Sequence, residues 1–300
     1  MIDLDKFGDF LKNRREGVKL TQIEASDLMD INKSTLWRLE NGYISPSFET
    51  ILKISKVYKI DINDIIESLS NDPLYSFFSY EKFLDEKIAL NVNESTREYA
   101  NDFKEIGCSS SNEFIINIST QYYYFLIGVD YFRKKEYESS IEYYFKALKI
   151  NLKDFDVNNI ESFSYTNTEL RILMNLSTAY YHIGEFKLYE HILGFCNEAV
   201  DLFSFLYIQI KYSYSILFAR KKDFLNALKT IDSLILHCQK NKSFSFFPMI
   251  YYQKSMYHKN LLEKEKEIEN LEFSKFLCMA YGYDSLLDTI NKKIEKFGIQ

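Results

Sequence analysis

The stretch Leu20–Gly42, LTQIEASDLMDINKSTLWRLENG, reads as two short helices joined by a tight turn and closed by a stop. Thr21 with Glu24 three residues on has the pattern of a capping box, which satisfies orphan amides and starts a helix at Gln22. That helix ends at Asp30-Ile31-Asn32, where Asn32 serves as N-cap of a second helix running to Asn41. Gly42 then supplies a left-handed stop. Two helices of about two turns each, held at an angle by a short turn, form the unit that lays its second helix in a DNA major groove.

The flanks extend this unit into a domain. Upstream, Leu4, Phe7, Phe10 and Leu11 recur at helical spacing and predict a first helix with one apolar face. Downstream, Pro46-Ser47 opens an amphipathic helix carrying Ile51, Leu52, Ile54 and Tyr58, and Asp61 caps a short one with Ile62, Ile65 and Ile66. Five helices in about 67 residues approach the smallest size that buries a core without metals or disulfides. Residues 7 to 67 resemble the XRE-type, lambda-repressor-like helix-turn-helix family. The match rests on Arg14, Leu20-Thr21-Gln22, Ser34-Thr35, Arg38-Leu39-Glu40, Gly42 and Pro46-Ser47. The resemblance implies that Arg14 and Glu40 pair and pin the first helix to the end of the recognition helix. Ala25, Ser26 and Asp30 depart from the family pattern, which has Leu, Ala and Gly there; Asp tolerates the left-handed region better than most residues.

Only 3 Pro and 9 Gly in 300 residues leave few breakers, so the whole chain is expected to be all-α, in two or three domains. The polar segment Ser68–Pro73 is the expected hinge between a DNA-binding domain at 1–67 and a helical-repeat domain at 74–300. Aromatics at 17% imply helices packed through large side chains. Cys108, Cys196, Cys238 and Cys278 are scattered, and they read as buried, reduced thiols. The N-terminus lacks an apolar signal core and no run approaches a membrane span, so a cytoplasmic protein without membrane contact is expected. Net charge is −6, and residues 1–67 hold ten Lys and Arg against twelve Asp and Glu. So acidic a domain gains little from phosphate neutralisation, and useful affinity calls for two copies on one inverted-repeat operator, hence a homodimer.

From Gln121 the chain carries a repeat. Tyr124, Ile127-Gly128, Tyr131, Tyr137, Ser140, Tyr144 and Ala147 fall at the aromatic and small positions of a tetratricopeptide repeat. A second copy fits Leu173, Leu176-Ser177, Tyr180, Gly184, Phe186 and Leu193, and a third fits Tyr214-Ser215, Phe218, Phe224, Ala227 and Ile231. Stretches 248–281 and 284–297 continue the apolar pattern without a clean phase, and read as an irregular repeat and a capping helix. A five-helix lambda-repressor-like domain followed by a tetratricopeptide-like α-solenoid resembles the RRNPP family of peptide-pheromone-responsive regulators. That resemblance implies a cytoplasmic quorum-sensing dimer whose concave repeat surface binds a short signalling peptide.

Candidate DNA contacts are Lys33, Ser34, Thr35, Trp37 and Arg38 on the recognition helix, with Gln22 at the start of the preceding one. Leu36 and Leu39 should point inward. Trp37 stands where the family usually has a small residue, and either contact or incidental packing accounts for it. Candidate peptide contacts, on the inner face of the first helix of each repeat, are Tyr122, Phe125 and Val129, then Arg171, Met174, Asn175 and Thr178, then Gln209, Tyr212 and Ile216. Asn175 offers a donor and an acceptor to a peptide backbone, and Arg171 one turn away can hold a carboxylate; ordinary polar helix surface is the alternative for each. His182, His191, His237 and His258 lack metal-ligand spacing, and no phosphate loop or nucleophile elbow is present. No catalytic residue, metal or cofactor is therefore expected. Two rival readings are a regulator whose repeats dock a protein partner or only dimerise, and an adaptor or phosphatase that has lost DNA binding. The intact Gln22, Ser34, Thr35 and Arg38 oppose the latter.

Overall fold

The computed structural model describes residues 4–62, 64, 65, 77, 80, 81, 84, 95–202 and 204–295, and every regular element among them is helical. The chain divides into two compact units, Met1–Lys82 and Phe83–Gln300. The hinge expected at Ser68–Pro73, and Ile66 of the fifth short helix, lie outside the described residues.

In the first unit, helices α1 (Leu4–Gly17), α2 (Gln22–Leu28), α3 (Lys33–Glu40) and α4 (Phe48–Tyr58) enclose one core. Phe7, Leu11, Ala25, Met29, Leu36, Leu39, Ile54, Tyr58 and Ile65 fill it. The capping box forms: the Glu24 amide donates to Thr21 Oγ1, and the Thr21 amide donates to Glu24 Oε2 at 2.8 Å. Asp30 takes the left-handed conformation (φ 49°) in the turn after α2. Asn32 has the extended backbone of an N-cap, yet its side chain makes no cap hydrogen bond. Two glycines let α1 touch the end of α3. A Cβ on Gly8 would stand 2.6 Å from the Glu40 carbonyl oxygen, and one on Gly42 (φ +68°) 2.6 Å from Asp5 Oδ1.

The second unit is a series of helical hairpins. Helix α5 (Arg97–Cys108) packs on α6 (Glu113–Arg133), and α6 on α7 (Tyr137–Lys149). Then α8 (Asn167–His182) pairs with α9 (Phe186–Ala199), α10 (Phe205–Arg220) with α11 (Phe224–Lys240), and α12 (Phe247–Asn260) with α13 (Lys264–Tyr281). A last helix, α14 (Asp284–Glu295), packs on α13.

Four of these hairpins close with the same turn. Lys135, Gly184, Lys222 and Leu262 are left-handed, and the next residue is always acidic: Glu136, Glu185, Asp223 or Glu263. The amide of that acidic residue donates to the carbonyl five residues back, on Tyr131, Tyr180, Phe218 and His258, at 2.9–3.0 Å. This is the closure that satisfies the last orphan carbonyls of a helix. Seven residues before each left-handed position lies a buried small residue: Gly128, Ser177, Ser215 or Ser255. A Cβ at Gly128 would meet the Tyr144 ring at 2.6 Å, which is why the smallest residue is needed where α6 meets α7. Residues 248–281 are thus a fourth repeat in full register, not an irregular one. The sequence hides it because Lys264 replaces the aromatic at Tyr137, Phe186 and Phe224. The longer interval between the first two turns is taken up by a 3-10 helix, Val157–Ser162, whose Val157 and Ile160 are buried.

Candidate functional sites

The outer face of α3 carries Lys33, Ser34, Trp37 and Arg38, all exposed, with Thr35 half-buried beside them. Leu36 and Leu39 point into the core. One helix thus presents a cation at each end, a hydroxyl between and an indole, while its other face anchors it. That is the side-chain set a helix needs to meet base edges and phosphates.

Behind this face lies a buried ion pair, and it differs from expectation. Arg15, not Arg14, grips Glu40, with Nε 2.6 Å from Oε1 and Nη2 3.1 Å from Oε2. Arg15 also donates to the Leu20 carbonyl at 3.0 Å. The reason is helical register. Phe7, Leu11 and Arg15 are four apart and share the buried face, whereas Arg14 is turned outward and lies over the Phe10 ring. The Glu40 hydrogen bond, outweighing the cost of burial, holds the Arg15 pKa above its ordinary value. Gln22 is also drawn in: its Nε2 donates to Glu40 Oε2 at 2.7 Å. Part of the amide expected to face DNA is therefore spent on joining α2 to α3. Burial, reinforced by the Glu40 charge, pushes the Tyr58 phenol well above its usual range.

In the repeats, the proposed groove residues take different positions. Tyr122 and Phe125 are not groove-lining: both are buried, because α5 covers that side of α6 and stacks Phe103 on Tyr122 with ring centroids 4.7 Å apart. Phe125 is enclosed between Tyr122 and Tyr144. Val129, Arg171, Met174, Asn175, Thr178, Gln209, Tyr212 and Ile216 are all half-buried. Arg171 Nη1 donates to the Tyr122 hydroxyl at 3.0 Å, linking the first two repeats. Asn175 Nδ2 donates to the Arg171 carbonyl at 2.9 Å, and the Thr178 hydroxyl to the Met174 carbonyl at 3.1 Å. Burial raises the Tyr212 pKa far above the usual phenol range. The same helix face in the fourth repeat carries Met249, Tyr252 and Met256, which sequence reading missed because it found no phase for that repeat. There Lys293 of α14 donates to the Tyr252 hydroxyl at 2.6 Å, so the last helix closes that end of the face.

Cys196, Cys238 and Cys278 are buried as expected, whereas Cys108, in the last turn of α5, is exposed. Two of the histidines contact neighbouring side chains at hairpin turns. His182 stacks on Tyr137 at 4.5 Å, and His258 Nδ1 lies 2.6 Å from Glu263 Oε2 across the fourth turn. Among the described residues, no helix is long and apolar enough to cross a membrane.

Residues 11–65 match the helix-turn-helix family. The first unit is an XRE-type helix-turn-helix. No curated protein matches the chain by sequence. Solved structures do match it along nearly all of its length. Bacillus thuringiensis PlcR, in complex with the peptide PapR7 and DNA, is 19% identical with a TM-score of 0.64, covering 95% of this chain and 99% of its own. ComR from S. thermophilus, in complex with DNA and its signalling peptide ComS, is 15% identical with a TM-score of 0.57, covering 98% and 100%. Apo PlcR gives 18% and 0.54, covering 97% and 99%. The fold is therefore a helix-turn-helix followed by a helical-repeat domain, as in PlcR and ComR.

Proposed function

We propose that this chain is a sequence-specific transcriptional regulator, cytoplasmic and dimeric, whose operator binding is set by a short signalling peptide held on the inner face of the repeats. No enzymatic role is assigned to it. One observation carries the reading: the face of α3 bearing Lys33, Ser34, Trp37 and Arg38 is open and backed by a core, on a fold shared end to end with PlcR bound to PapR7 and DNA. Lys33, Ser34, Thr35 and Arg38 are the base and phosphate contacts, and Gln22 adds the amide atoms that Glu40 leaves available.

The peptide surface runs along Val129, Arg171, Asn175, Thr178, Gln209, Tyr212 and Ile216, and Asn175 retains its carbonyl oxygen for a peptide amide. Phe273, Phe276 and Met279, exposed at three-residue spacing on α13, support pairing of two chains through the C-terminal helices. A solenoid held by neighbour contacts changes curvature at modest cost, so a ligand spanning several repeats can alter how two copies meet an inverted repeat. A tenfold change in operator affinity needs only about 1.4 kcal/mol of preference for one shape.

Calorimetry with synthetic peptides encoded beside the gene, paired with operator footprinting, tests this. Binding that is lost in Asn175→Ala and Arg171→Ala and that shifts the footprint is the expected result. If no such peptide binds and extract of a dense culture leaves operator affinity unchanged, the repeats serve a protein partner or dimerisation alone. The engagement of Arg171, Asn175 and Thr178 by their own helices and neighbours is the observation favouring that second reading.

A further inference from the structure

Trp37 is the only tryptophan, and it is 46% exposed in the middle of the outer face of α3. It is held rather than free. The Tyr43 ring lies 5.4 Å away at 38°, placed there by the left-handed Gly42 and by the Tyr43 amide donating to the Arg38 carbonyl at 2.9 Å. Asn41 Nδ2 donates to the Trp37 carbonyl at 2.7 Å and closes the same turn. Tyr43 is itself 64% exposed, so the pair forms an apolar ridge standing out of the domain.

Whatever covers this ridge must also suit Lys33, Ser34 and Arg38, which flank the indole on the same face. A purely apolar partner would strand those polar groups. A DNA major groove suits both: base edges and phosphates serve the polar residues, and thymine adds the one apolar group in the groove, its 5-methyl. The acidic balance of the domain points the same way, since affinity that phosphate attraction does not supply must come from base contacts. Resting on the DNA-binding reading above, we propose that Trp37 reads the 5-methyl group of a thymine, and that Tyr43 is the positioning residue that sets the angle of the indole.

The test selects duplexes from a random pool with the full chain, then replaces each thymine of the best duplex by uracil, one at a time. This removes a methyl and leaves every hydrogen-bonding edge in place. One or two thymines per half-site should show a loss of roughly fourfold, the worth of one buried methyl. That loss should vanish in Trp37→Ala and shrink in Tyr43→Ala, while the emission of Trp37 should change when wild type binds the selected duplex. Uracil losses that persist in Trp37→Ala, or silent substitution throughout with unchanged emission, overturn the inference. If duplexes are selected and Arg38→Ala weakens them but every uracil is silent, this inference alone falls. If no duplex is selected, it falls together with the DNA-binding reading.

Discussion

The turn after α3 and the four hairpin turns of the repeats use the same backbone device, and they are written in different ways. At Gly42 the residue itself dictates the turn: φ is +68°, and a side chain would collide with Asp5 and Leu4. In the repeats the left-handed position is Lys135, Gly184, Lys222 and Leu262, so residue type dictates little. There the turn is imposed by the two helices it joins, whose buried faces must meet. The helix-turn-helix is thus specified locally, and the solenoid by packing between elements. Each unit should respond to substitution accordingly.

The largest effect is expected at the buried pair of the first unit. Glu40→Ala leaves Arg15 buried without its carboxylate and should destabilise that unit by about 3–5 kcal/mol in denaturant unfolding. Arg14→Ala, by contrast, should stay within about 0.5 kcal/mol, because Arg14 is exposed. Equal losses in the two variants would return the role to Arg14. Next comes Gly128→Ala, where a Cβ meets the Tyr144 ring and should cost about 1–3 kcal/mol of repeat stability. Gly194→Ala, in α9 with open space around it, should instead stabilise by up to about 1 kcal/mol. On the functional face, Arg38→Ala should weaken binding to a selected duplex by about 1–3 kcal/mol without shifting the melting temperature.

A smaller effect probes the comparison itself. Leu262 is left-handed (φ 62°) and 90% exposed, so its side chain contributes strain and no packing. Leu262→Gly should raise stability by about 1 kcal/mol, and Gly184→Leu should lower it by a similar amount. If both variants are neutral, the turn is not under strain. The smallest effect concerns pH. Partial desolvation, with Arg220 nearby, lowers the pKa of the His182 ring, which is exposed on one side and stacks on Tyr137. The unfolded chain then binds the proton more readily, and the His182 contribution is present above about pH 6.5 and declines as pH falls below it. A stability profile from pH 7.5 to 5 should be flatter in His182→Phe; an unchanged slope would assign the acid sensitivity elsewhere.

Legibility in the sequence followed the same division. The capping box at Thr21 and Glu24, the left-handed Asp30 and Gly42, and inward Leu36 and Leu39 were readable because each depends on residues within four positions of one another. The exposed set on α3 followed from the same periodicity. Arg15 in place of Arg14 was legible too, in its spacing from Phe7 and Leu11, but family analogy pointed one residue away. Gln22 turning to Glu40 was not legible, since the two residues meet only once α2 and α3 pack. The fourth repeat was read as irregular because its aromatic marker is Lys264, although the acidic residue opening its second helix and the small Ser255 were both present.

By itself the sequence determined the helix-turn-helix, the helical character of the segments that follow it and the chemistry carried on α3. Each arises from hydrogen bonds and apolar periodicity within single helices and the turns that end them. Only the tertiary structure decided which arginine holds Glu40, that Tyr122 and Phe125 are core beneath α5, and that Lys293 reaches Tyr252 of the last repeat. Those outcomes depend on how whole helices stack, where a shift of one residue moves a side chain about 100° around its helix and from solvent into the core.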